Sequence, residues 1–303
     1  MTRVLLLLAA LLAFTPAAMA DDGLQRFERE IKPQLEVQKL TYRTGEALGD
    51  QGFVLNDVVV VMPPSPETDN KPSTVNIDKV TVDAIDFDHL KETSEDLPHF
   101  IKLKLEGVTG DDNAAKSMAA YGLPKTPADL VLDYRFDGAA KRLTLNTLEI
   151  GLRGQGRMSL SLVMDGINGK ASDVDDARDS GRLQSALLVI DDKGIIAHVL
   201  AANAKAQGAK PEGLVSLALT TIASLAGQQD AESIKAFDAV ASFVGDWKAP
   251  KGPITIRLTP AKGASLADLG TLMMPNALRQ VLGLEVTYVD TRPGAAVAGP
   301  AVK

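Results

Sequence analysis

Three histidines, His89, His99 and His198, are the first side chains to weigh for chemistry in this 303-residue chain. Imidazole ligates metals and moves protons near neutral pH, but both tasks need partners at a suitable spacing. These three are scattered across more than a hundred residues and none belongs to an HExxH-type helical pair, so the spacing supplies no metal site. His99, beside Pro98, reads as a loop residue, and His198 as the edge of a helix stripe. No GxSxG elbow and no SxxK occurs. Ser265, in KGASLAD, reads as a helix cap and not as a nucleophile. No catalytic residue and no cofactor is assigned.

The carboxylates give one cluster, Asp173, Asp175, Asp176 and Asp179. Hard cations want several oxygens, but a calcium loop starting at Asp173 would need glycine at its sixth position, where Arg178 stands. The cluster reads as a solvated acidic loop, with weak calcium binding as the alternative. Asp83, Asp86 and Asp88 read as acids on the wet side of a strand. Gly151, Gly154 and Gly156 follow the order GxxGxG between two alternating strands. A phosphate loop must open a helix, so these glycines read as a turn.

One stretch is unusual for what it lacks. Gly213 to Gly227, GLVSLALTTIASLAG, carries no charge and is too short to span a bilayer. It reads either as a core helix or as the lining of an apolar cavity that takes an acyl chain or another envelope lipid. In the second case Leu214, Leu217, Thr221, Ile222 and Leu225 are the candidate ligand-binding residues.

The elements that must position these groups follow from periodicity. Leu130 to Met164 alternates apolar and polar residues in three runs separated by Asp137-Gly138 and Gly154-Gln155-Gly156, the pattern of an antiparallel meander. Its phase changes between Leu145 and Leu148, which predicts a bulge at Asn146-Thr147 and a curved sheet. Earlier strands are expected around 53–61, 75–88 and 101–105, with a glycine loop over 45–52. Leu24, Phe27, Ile31 and Leu35 predict a short amphipathic helix limited by Pro33. Residues 112–121 predict another.

After the strand-like run 183–190, helices are expected over 195–207, 211–226 and 230–244, the last burying Ile234, Phe237, Val240 and Val244. A strand at 254–258, a helix capped by Ser265 and a strand at 284–289 complete the pattern. The fold class expected is α+β, a curved antiparallel sheet packed against a helix-rich C-terminal half. The organisation expected is a signal peptide at 1–20, a β-rich half at 21–182, a helix-rich half at 183–290 packed on the first as one unit, and a disordered tail at 291–303.

The first twenty residues, MTRVLLLLAALLAFTPAAMA, have the basic start, short apolar run and Ala-x-Ala end of a secretory signal peptide. No cysteine is present to take a lipid or form a disulfide. Cleavage after Ala20 removes Arg3 and no acid, so the formal charge goes from -7 to -8. An acidic chain with 4% aromatics is unsuited to nucleic acid. The expectation is a periplasmic or secreted protein with no transmembrane segment after cleavage. It is a non-enzymatic envelope protein that binds a lipid or other apolar ligand; the alternatives are a hydrolase whose site is invisible in sequence and a structural partner of an envelope complex.

The stretches DSGRLQSALLVIDDKGIIAHVLAANAKAQGAKPEGL (179–214) and SFVGDWKAPKGPITIRLTPAKGASLADLGTLM (242–273) resemble an uncharacterised family of exported alphaproteobacterial proteins. The resemblance implies location and no activity.

Overall fold

Alternation of apolar and polar side chains governs most of the sequence, and in the computed structural model it builds one antiparallel sheet. The structure describes residues 21–66, 70–90, 97–170, 180–265 and 277–288. The expected signal peptide, the Asp173, Asp175, Asp176 and Asp179 cluster and the expected tail lie outside the described residues. The strands are β1 (Lys39–Thr41), β2 (Thr44–Leu48), β3 (Gly52–Met62), β4 (Ser73–Ile85), β5 (Phe100–Val108), β6 (Ala128–Asp137), β7 (Arg142–Leu152), β8 (Gly156–Asp165), β9 (Arg182–Asp192), β10 (Ile254–Leu258), β11 (Ala264–Ser265) and β12 (Glu285–Tyr288). They hydrogen-bond in the order β1-β3-β4-β5-β6-β7-β8-β9-β10-β12, with β2 beside β3 and β11 beside β9. Every pairing is antiparallel.

The register shows how the sheet bends. On both sides of β7 the pairing shifts at Asn146, between Asp133 and Tyr134 on one neighbour and between Leu145 and Leu148 on the other. The extra residue returns Leu148, Ile150 and Leu152 to the face already occupied by Leu143 and Leu145, which is why the apolar phase changes in the sequence. A similar shift between Val82 and Ala84 lets Ile85 rejoin that face. The sheet is open and curved.

Following the paired residues across strands defines one apolar face. It runs from Phe53 and Leu55 through Val82, Leu103, Leu132, Leu148, Leu160 and Leu188 to Ile256 and Val286. Helices close this face at its two ends. At the first end lies α1 (Gly23–Arg26), which continues through a π turn over Phe27–Ile31 and a 3-10 turn over Lys32–Gln34. The Asp22 carboxylate caps it by accepting the Gln25 N–H at 2.8 Å. Phe27 stacks on Phe53 at 4.6 Å, and Leu24 and Ile31 join the same buried cluster. Gly23 is required there because a side chain would collide with the Gly52 carbonyl.

α2 (Asp112–Ala120) links β5 and β6. Between β9 and β10 come α3 (Ile195–Ala206), α4 (Pro211–Ala226) and α5 (Ala231–Gly245). α5 packs on β12 and β10, α4 on α5, and α3 on α4. The buried stripe of α5 is Ser233, Ala236 and Phe243. That lies one residue before the expected Ile234, Phe237 and Val244, which are half-buried, while Val240 packs against the same cluster. α6 (Ala277–Leu282) precedes β12.

Two expectations need correction. The C-terminal half is not helix-rich: the structure is mainly sheet, 41% strand against 29% helix, and β9 to β12 extend the meander as further strands of the same sheet. The β-branched and leucine-rich runs at 182–192 and 254–258 find ladder partners in β8 and in each other, and the helices form an insertion between β9 and β10. Gly45 to Leu48 belongs to a strand, since the chain turns at Gly49 to Gln51 and pairs Thr44 to Leu48 with β3. Ser265 is buried in β11 opposite Arg182, and the first turns of the helix expected after it lie outside the described residues.

Candidate functional site

Among the described residues the two helical closures leave the middle of the apolar face bare. One buried cluster is built on β3 and β4 with Phe27, Phe53, Leu55, Val58, Ile77, Val82 and Phe87. The other is built on β10 and β12 with Ala236, Phe243, Ile254 and Val286. Between them Leu130, Leu132, Leu148, Leu160 and Leu188 are only half-buried and belong to neither cluster. Ile150 and Met158 oppose one another across β7 and β8 and are 42% and 40% exposed. Four strands at about 4.8 Å spacing make this bare strip roughly 19 Å wide. Its upper end forms a shallow apolar pocket of about 210 Å³, where Ile150, Leu152, Met158 and Ile190 face Ile195 and Ile196 of α3.

The opposite face carries polar groups. A cleft of about 1070 Å³ is lined by Lys102, Asp133, Arg135, Arg142, Thr144 and Asn146, with His99 at its edge. Lys102 is paired with Asp83 at 3.2 Å and Arg142 with Asp165 at 2.6 Å, and Asn146 donates to Asp133 at 3.1 Å. Two of its cations, Lys102 and Arg142, are thus paired within the chain.

The end of β4 and the start of β5 bring together residues that the sequence keeps apart. The Oδ2 atom of buried Asp86 lies 2.7 Å from Nδ1 of His89 and 3.7 Å from Nδ1 of His99, and accepts the His99 backbone N–H at 2.9 Å. The two imidazole rings lie 4.2 Å apart. Burial works to raise the Asp86 carboxyl, but the His99 amide and the His89 ring outweigh it and hold it below the usual carboxylate range. Burial, assisted by the Asp86 charge, pushes the nearby Tyr134 hydroxyl up to about 12. That hydroxyl donates to the Pro98 carbonyl at 2.8 Å. His198 lies apart from this group, on α3 close to Gly122. The link was hidden in the sequence because Asp86 and His89 are one turn apart while His99 arrives only through strand pairing.

The five residues expected to face an apolar ligand all lie on α4. Leu214 and Ile222 are half-buried, while Leu217, Thr221 and Leu225 are exposed, Leu217 at 66% and Leu225 at 47%. The Thr221 hydroxyl donates to the Leu217 carbonyl at 3.0 Å. The other side of the helix, with Val215 and Leu219, faces Trp247. Among the described residues no helix is long and apolar enough to cross a membrane.

No curated protein matches the chain. Residues 147–288 match the model of a family described as an uncharacterized protein, and this segment runs from the Asn146 bulge through β12, spanning one side of the bare strip and both stretches on which the sequence resemblance rests.

Proposed function

We propose that this chain is a non-enzymatic envelope protein, exported to the periplasm, which holds a lipid or other apolar ligand against the bare strip of its sheet. The observation that carries the reading is the cross-strand pair Ile150 and Met158, large apolar side chains left open beside α3, among the described residues, on a face that helices cover at its two ends. The largest exposed apolar patch of a water-facing protein is often a binding surface. The pocket of about 210 Å³ beside α3 is below the size that engulfs a whole ligand, so it suits one end of an acyl chain laid along the sheet. The signal-peptide pattern of residues 1–20 supports export. Native mass spectrometry of the protein, isolated under mild extraction from the cells that make it, is expected to show a copurifying adduct of lipid mass. An adduct-free spectrum under these conditions refutes ligand holding.

A second reading, a structural partner of an envelope complex, draws on the openness of the strip, since a protein surface could cover it as well as a lipid. Crosslinking through a photoreactive residue at Ile150 separates the two, by a lipid-sized or a protein-sized product. The hydrolase reading has less support. Among the described residues the His89 ring hydrogen-bonds to Asp86 and the His99 ring lies 3.7 Å from the same carboxylate, with no hydroxyl nucleophile hydrogen-bonded to either ring.

A further inference from the structure

We propose that Asp86, His89 and His99 form a binding site for a divalent first-row transition ion, with zinc the best fit. Three potential ligand atoms, one from each residue, all lie within 4.8 Å of one another. Both imidazole Nδ1 atoms converge on the same carboxylate oxygen, at 2.7 and 3.7 Å. A tetrahedral ion with bonds of about 2.0–2.1 Å keeps its ligands roughly 3.3 Å apart, so small ring rotations bring the three into place. Two imidazoles and one carboxylate suit zinc and its neighbours, whereas calcium and magnesium take oxygen donors.

The support around the ligands is the kind a metal site needs. Asp86 is buried, and its carboxylate is fixed by the His99 amide. The His99 carbonyl accepts the Phe136 N–H at 2.7 Å, and the Asp86 N–H donates to the Phe100 carbonyl at 3.1 Å. The Tyr134 hydroxyl holds the preceding residue, Pro98. The backbone therefore delivers the two most distant ligands in fixed register, and conserving that placement costs the ion little ordering. His89 and His99 are partly exposed, and His99 lines the edge of the polar cleft. Three protein ligands leave a fourth position for water on that accessible side.

The test uses the untagged mature chain, stripped of metal by chelator and titrated with zinc chloride in a calorimeter, with cobalt(II) absorption as a second readout. One equivalent of zinc is expected to bind, and cobalt is expected to give visible bands of a nitrogen- and oxygen-ligated ion. His89→Ala and His99→Ala should each weaken binding about tenfold or more and alter the cobalt bands, while His198→Ala should change neither. Circular dichroism confirms folding of each variant, and the partly exposed histidines are chosen because Asp86→Ala removes a buried backbone partner. Absence of saturable zinc binding, or equal binding by wild type and both histidine variants, overturns the proposal.

Discussion

Replacing Ile150 and Met158 by asparagine tests the proposed ligand face most directly. The two side chains face each other across β7 and β8 and are 42% and 40% exposed. Each leaves roughly 70 Å² of apolar surface for a ligand to cover, worth about 1.8 kcal/mol at about 25 cal/mol per Å². Either substitution alone should thus weaken an apolar ligand up to about 20-fold, since about 1.4 kcal/mol is a factor of ten. The double variant should approach a loss of several hundred-fold. Because adjacent residues couple, the double effect falls short of the product of the single ones by a few tenths of a kcal/mol or more. The assay is fluorescence titration of the folded protein with a lipophilic probe such as an anthroyloxy fatty acid, with melting temperature as the control for folding. Leu217→Asn with Leu225→Asn, on the exposed side of α4, supplies the comparison. Unchanged probe affinity in the sheet variant together with a large loss in the helix variant would refute the sheet site and place the ligand on α4.

Three further outcomes follow from the packing and charges. Phe53→Ala and Phe243→Ala remove rings from the two separate buried clusters and should each cost about 3–5 kcal/mol in urea unfolding. Six strands lie between β3 and β10, so their effects should add within about 0.5 kcal/mol, provided unfolding remains two-state. Gly23→Ala should destabilise by about 1–3 kcal/mol, because the new methyl group meets the Gly52 backbone and lifts α1 from the sheet. Arg153 grips Asp129 through two hydrogen bonds of 2.7 and 3.0 Å. That contact, opposed by burial and aided by the Gly107 amide, holds the Asp129 carboxyl below its ordinary value. A lowered folded value means the stabilisation is present above the unfolded pKa of about 4 and is lost as pH falls through the folded one. Arg153 is 44% and Asp129 35% exposed, so solvent screens the pair and Asp129→Asn should flatten the acid limb of the stability profile by about 1 kcal/mol or less.

Periodicity carried the local structure of this protein. The meander appears where Leu130 to Met164 alternates, and the bulge falls at the Asn146-Thr147 phase break, because inverting the apolar phase without an extra residue would turn leucines to the wrong face. The helices at 195–206, 211–226 and 231–245 lie close to their expected spans, since their apolar spacing and the Pro211 and Asp230 starts are local signals. Strand neighbours are not local. Nothing within residues 182–192 announces that they pair with β8 on one side and with β10, sixty residues later, on the other, so the sheet is longer than the composition of its second half suggests. The same holds for the sites. The side chains of Ile150 and Met158 alternate like any buried pair, and only the absence of a covering helix above them distinguishes the bare strip among the described residues. Asp86, His89 and His99 carry no metal-binding spacing, and it is the β4–β5 pairing that carries His99 to a carboxylate thirteen residues earlier. Sequence determines which residues point to one side of a strand; what covers that side, and which distant residue meets it, depends on long-range pairing and is decided by the tertiary structure.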